Sequence, residues 1–128
     1  MPSSPRAYKV GYARVSSSAQ KLDAQFDALK QIGCHKVFAD RVSGSKADRP
    51  GWEQLIAYVR PGDRVIVTEL SRMSRSLLHL LDVVKTFEHQ DIEIVSLREH
   101  IDTSTATGRG FLAMMGVIAQ MDRELKAE

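Results

Sequence analysis

Four short apolar runs rich in β-branched residues, KVGYARVS (9–16), KVFAD (36–40), RVIVTEL (64–70) and IEIVSL (92–97), alternate along the chain with stretches of helical spacing. This alternation constrains the fold more than any other feature. Strand, helix and strand in succession imply right-handed crossovers and a parallel sheet covered on both faces. The helical stretches carry their own boundaries. Residues 19–32 place Leu22, Phe26, Leu29 and Ile32 three or four apart and stop at Gly33. PGWEQLIAYV starts with Pro50, suited to a first helical turn, and closes before the RPGD turn. SLLHLLDVVKTFEHQ (76–90) is apolar on one side. The expected architecture is a doubly wound α/β domain with a mainly parallel, four-stranded sheet of order 2-1-3-4.

The last segment, from TSTATGRG to Glu128, reads as one long helix with Phe111, Met115, Ile118, Met121 and Leu125 on a stripe. Residues 1–106 are thus expected to form the α/β core, and 107–128 the start of an interface helix. The alternative is that this helix packs back on its own sheet. Methionines on it fit adaptable packing. At 128 residues with 43% hydrophobic and 27% charged residues, the chain can bury a core without disulfide or metal staples. It has no apolar run long enough to span a bilayer, and MPSSPRAYK lacks the apolar centre of a signal peptide. A cytoplasmic location is expected. The single Cys34 agrees with that and reads as a packing residue.

The stretch YARVSSSAQ (12–20) delivers an arginine and three serines to the start of a helix. Ser17 and Gln20 match a capping box, which accounts for one serine. Side chains alternate along a strand, so Tyr12, Arg14 and Ser16 share a face. An arginine inside a parallel sheet needs an anionic partner or a wet crevice. ELSRMSRS, after the third strand, repeats the theme. Arg72 and Arg75 stand one turn apart where the next helix begins, a place that disfavours cations unless an anion binds there. In a 2-1-3-4 sheet, ligands sit beyond the carboxyl ends of strands 1 and 3, the ends that bear Ser16 and Arg72. A hydroxyl would then face a phosphate-sized site lined by Arg14, Arg72 and Arg75, with Arg49 able to reach in from its loop. That set suits phosphoryl transfer to serine, with guanidinium forks doing what metals do elsewhere.

Net charge is only +2, too little to identify a nucleic-acid binder by itself. Placement of the arginines, which outnumber lysines eleven to seven, says more than the sum. His35, His79, His89 and His100 have no ligand spacing and there is no cysteine cluster, so no metal site is expected. Nucleotide-binding glycine motifs and a nucleophile elbow are also absent from the sequence.

YARVSSSAQKLDAQ, VSGSKADRPG, ELSRMSRS and IDTSTATGRGFLAMMGVIAQMDREL, taken together and in order over residues 8–128, resemble the serine site-specific recombinases, the resolvase and DNA-invertase family. SLREHIDTSTATGRG leans toward the invertases. The resemblance implies that Ser16 attacks a DNA phosphodiester to give a 5′-phosphoserine linkage. Strand exchange in a tetramer assembled from homodimers, and religation without metal or cofactor, would follow. It implies that Arg14, Arg49, Arg72 and Arg75 surround the scissile phosphate and that Tyr12, Gln20, Gln25 and Ser43 support them. Arg123 would contact DNA or the partner, and the helix from about Gly108 would form the dimer and tetramer interface. Double-stranded DNA would be the partner, and the nucleoid the place of action. Ser71 stands where the family commonly has Asp. Family members usually continue into a helix-turn-helix domain, and a chain ending at Glu128 is expected to be the catalytic domain alone, with weak, sequence-independent DNA affinity. Two other classes fit the residues: a non-catalytic module binding an anion or a partner, and a small phosphatase-like hydrolase using Ser16.

Overall fold

The computed structural model describes residues 8–15, 19–41, 49–73 and 77–127. Elements follow in the order β1 (Lys9–Val15), α1 (Ala19–Gln31), β2 (Lys36–Arg41), α2 (Pro50–Tyr58), β3 (Arg64–Val67), a 3-10 turn (Leu70–Arg72), α3 (Leu77–His89), β4 (Glu93–Ser96), β5 (Ile101–Asp102) and α4 (Ala106–Ala127). The sheet order is β2-β1-β3-β4-β5. Its first four strands pair in parallel, as the alternation of strands and helices requires.

The sheet has five strands where four are expected from the sequence. β5 runs antiparallel to β4, pairing Ser96 with Ile101 and Val95 with Asp102. Two residues cannot show a strand period, so the sequence holds no signal for it. Thr103 fastens it from beyond its end: its amide donates to the Ile94 carbonyl at 2.9 Å, and its Oγ1 accepts the Ile94 amide at 2.8 Å.

Residues alternate between two cores. Val10, Tyr12, Val65, Val67 and Ile94 face α2 and α3, packing with Leu55, Leu80, Val84 and Phe87. Ala13 and Ile66 face α1 and pack on Leu29. Helix α1 ends in a left-handed glycine, Gly33 at φ 93°, whose amide bonds the Lys30 carbonyl while Cys34 bonds that of Leu29. Two positions of the expected 19–32 stretch depart from its apolar stripe. Ile32 is exposed, because the chain turns away at Gly33, whereas Gln25 is buried. At α2 the backbone comes so close to β2 that a Cβ on Gly51 would lie 2.3 Å from the Ala39 carbonyl oxygen.

Strand β3 is shorter than the apolar run 64–70 predicts. It ends at Val67, and the chain closes into the 3-10 turn, where Arg72 bonds the Glu69 carbonyl and Met73 that of Leu70. Arg72 therefore sits in this turn and not in the first turn of α3. Helix α4 is single and long as expected, but Leu112 is 1% exposed and joins the core beside α3, so its first half belongs to the α/β domain. Among the described residues, no helix is long and apolar enough to cross a membrane.

Candidate active site at the switch point of the sheet

Winding direction reverses between β1 and β3, and the polar side chains at their carboxyl ends form one connected group. Tyr12 is fully buried, and its hydroxyl donates to Asp40 at 2.6 Å. Burial first, and the Asp40 hydrogen bond second, push this phenol well above its ordinary range. Asp40, at the end of β2, also accepts the amides of Gly51 at 2.7 Å and Trp52 at 2.9 Å. It thereby caps α2 from outside the helix, whose own N-cap residue, Arg49, makes no side-chain cap bond.

With no acceptor to offer the helix amides, the Arg49 guanidinium instead stacks 5.3 Å from the centre of the Trp52 ring and donates to the Met73 carbonyl. Arg14 reaches the same segment from β1, with Nη2 2.5 Å from the Ser71 carbonyl oxygen. β1 pairs with β3 only as far as Tyr12, opposite Val67. Beyond that point Gln25 supplies the missing partner: its carboxamide accepts the Arg14 amide and donates to the Arg14 carbonyl, both at 3.0 Å. This explains a buried glutamine in an otherwise apolar stripe.

Arg72 is carried by the segment that Arg14 and Arg49 hold. Its Nη2 lies 2.8 Å from Glu69 Oε1, while its buried Nε has no acceptor among the described residues. Burial opposes ionisation of Glu69, but Arg72 and then Arg98 outweigh it and hold the carboxyl below its usual range.

Of the residues expected from the sequence, Arg14, Arg49 and Arg72 meet at residues 69–73, Gln25 bonds the Arg14 main chain and Tyr12 bonds Asp40. Ser71 contributes its main-chain oxygen. Ser16, Ser43, Arg75 and the Gln20 side chain lie outside the described residues, as does the proposed Ser17 cap. Arg123 lines a surface hollow with Leu78, Gln120 and Glu124, and the hydrogen bonds that gather the other arginines do not include it. On α4, Phe111, Ile118, Met121 and Leu125 are exposed, joined by Met114 and Val117. Met115 instead packs against the domain's own core. Sequence reasoning missed Asp40 and Glu69, whose acidity beside arginines is the only trace they leave. No group of three or more His, Cys, Asp or Glu side chains that could hold a metal occurs among the described residues.

The chain is similar to known proteins in sequence and in fold. The resolvase N-terminal domain model matches residues 9–128. Over 118 residues, 92% of this chain and 64% of the relative, the chain is 41% identical to the transposon Tn917 resolvase of Enterococcus faecalis. It is 40% identical to the serine recombinase gin of Escherichia phage Mu, over 93% of this chain and 62% of that protein. The chain therefore spans somewhat less than two thirds of the length of these curated relatives. Among solved structures, the N-terminal catalytic domain of TP901-1 integrase superposes with a TM-score of 0.74 at 34% identity, covering 91% of this chain and 98% of that one. A resolvase-family site-specific recombinase from Streptococcus pneumoniae shares the fold, with a TM-score of 0.73 at 20% identity over 94% and 93% of the two chains. With its 2-1-3-4 parallel strands, its arginine group at the switch point and a family match over nearly its whole length, the chain belongs to the resolvase N-terminal domain family of serine recombinases.

Proposed function

We propose that this chain is the catalytic domain of a site-specific DNA recombinase that breaks and rejoins strands through Ser16. In the step proposed, Ser16 Oγ gives up its proton and bonds to the phosphorus of a DNA phosphodiester. The bond from phosphorus to the 3′ oxygen breaks, and that oxygen takes a proton to leave as a 3′-hydroxyl. Religation is the reverse, with a 3′-hydroxyl displacing serine. Arg14, Arg49, Arg72 and Arg75 would neutralise the non-bridging oxygens as charge builds in the transition state, with no metal or cofactor required.

One observation carries this reading: guanidiniums from β1, from the start of α2 and from the 3-10 turn converge on residues 69–73, beside the strand end that Ser16 follows. Asp40 and Gln25 spend their polar atoms holding that arrangement rather than contacting solvent. The apolar exposed face of α4 supports assembly as a homodimer, and as a tetramer when two DNA sites are synapsed, on double-stranded DNA in the nucleoid.

The test fuses the chain to a DNA-binding domain of known specificity and supplies a nicked crossover duplex with chelator present. Wild-type protein is expected to give a denaturation-resistant DNA adduct that Ser16→Ala abolishes, with no turnover of a chromogenic phosphate ester. Ester turnover without an adduct would favour a hydrolase. Neither activity, from folded protein, would leave an anion- or partner-binding module.

A further inference from the structure

Glu69 touches two cations at once, and one of them is an arginine of the site. Oε1 lies 2.8 Å from Arg72 Nη2, and Oε2 lies 3.0 Å from Arg98 Nη1. We propose that Glu69, braced by Arg98, is a positioning residue that aims the Arg72 guanidinium at the scissile phosphate. This rests on the recombinase reading above and adds two residues to it.

The 3-10 turn explains why Glu69 can do this. Glu69 is the extended residue that precedes the turn, and its carbonyl accepts the Arg72 amide at 3.1 Å, which brings the two side chains within reach of each other. With Arg72 Nε buried and lacking an acceptor among the described residues, the orientation of the fork depends on its Nη2 bond to Glu69. A lone acid beside Arg72 would cancel the charge that a phosphate needs. Arg98 offsets it, so the Glu69, Arg72 and Arg98 group keeps a net charge of +1.

The turn between β4 and β5 fixes the brace. The Arg98 amide donates to the Thr68 carbonyl at 2.9 Å. Its neighbour Glu99 accepts the Leu70 amide at 3.3 Å and the Ser96 hydroxyl, which anchors the start of the 3-10 turn. Consecutive residues of one turn thus hold the segment bearing Arg72 by its side chain and by its main chain. The Arg98 side chain is 75% exposed, so its ion pair contributes little to stability and its removal leaves the fold intact.

The test measures single-turnover adduct formation by the DNA-binding-domain fusion carrying Glu69→Ala, Glu69→Gln or Arg98→Ala, alongside the DNA dissociation constant of each. Glu69→Ala is expected to slow the adduct step by about 10-fold to 100-fold, the scale of losing alignment at a reacting centre. Glu69→Gln, whose carboxamide oxygen still accepts from Arg72, recovers part of that loss, and Arg98→Ala gives a smaller slowing. DNA affinity, set mainly by the fused DNA-binding domain, changes by much less than the adduct rate in all three. Wild-type rates in Glu69→Ala and Arg98→Ala, a loss that Gln does not relieve, or a loss confined to DNA affinity overturns the proposal. If Glu69→Ala does not fold, Glu69→Gln and Arg98→Ala decide the matter by the same rates. Absence of any adduct from the wild-type fusion instead overturns the recombinase reading, and the inference falls with it.

Discussion

Replacing Asp40 with Ala removes a buried acceptor from three donors at once, the Tyr12 hydroxyl and the amides of Gly51 and Trp52. All three groups lie in buried residues, so water cannot take the carboxylate's place without opening the junction between β1, β2 and α2. A hydrogen bond to a charged group contributes about 1.5–3 kcal/mol, and a donor stranded without a partner costs about 1–3 kcal/mol. Neighbouring losses overlap, so the expected cost is about 4 kcal/mol rather than the full sum. That is a large part of the roughly 5–15 kcal/mol that holds a domain folded. Asn keeps one acceptor oxygen but turns an amino group toward the donors, for a cost of about 2 kcal/mol. Tyr12→Phe deletes one donor and leaves the carboxylate held by two amides, for about 1 kcal/mol. The single tryptophan, Trp52, sits at the junction with its ring 5.0 Å from that of Tyr12, so urea unfolding followed by its fluorescence reports directly. At a slope of about 2 kcal/mol per molar urea, Asp40→Ala should lower the midpoint by about 2 M. A shift under about 0.5 M, or a larger shift in Tyr12→Phe than in Asp40→Ala, would refute the claim that this carboxylate caps α2.

Gly51→Ala drives a methyl group to 2.3 Å from a main-chain oxygen that cannot step aside, and urea unfolding should show a loss of about 3 kcal/mol. Glu69 and Asp102 both have carboxyls held below the usual range, the second because Ser104 and Arg64 outweigh its burial. The unfolded chain binds more protons below about pH 4.5, so their contribution is full above that pH and fades as pH falls through the depressed native values. Urea midpoints at pH 6 and pH 3 should differ by less in Glu69→Gln than in wild type. Ile118→Asp, on the exposed face of α4, should leave monomer stability within about 0.5 kcal/mol of wild type while abolishing self-association in sedimentation. Arg72→Lys keeps charge but loses the planar fork and should slow adduct formation by about 100-fold.

Strand and helix alternation made the order of the first four strands legible, because period and boundary residues are local signals. β5 escaped because two residues carry no period, and its support, Thr103, acts through a hydroxyl bond to Ile94. The end of β3 was misplaced because the chain turns where Glu99 anchors Leu70, 29 residues distant in sequence. Arg14 was readable as out of place in an apolar sheet and Arg72 as a cation where a helix begins, whereas Arg49 was legible only as a loop residue able to reach in. Asp40 was not, since its donors come from β1 and α2 and its role exists only once those elements meet. Gln25 entered only by resemblance; its physical reason, the unpaired main chain at Arg14, depends on where β3 stops. On α4 the apolar residues alone could not separate the buried side from the exposed one. Leu112 and Gly116 pack inward, Gly116 against Leu81, and leave Phe111, Ile118 and Met121 uncovered.

The most direct measurement locates the covalent bond. Adduct from the wild-type fusion and nicked duplex, formed in chelator, would be digested with protease and nuclease and its nucleotide-bearing peptide fragmented in a mass spectrometer. The expected product is a 5′-phosphate ester on Ser16 with a matching free 3′-hydroxyl on the other DNA end. A phosphate on any other residue, a 3′ linkage, or a requirement for divalent metal would contradict the recombinase reading.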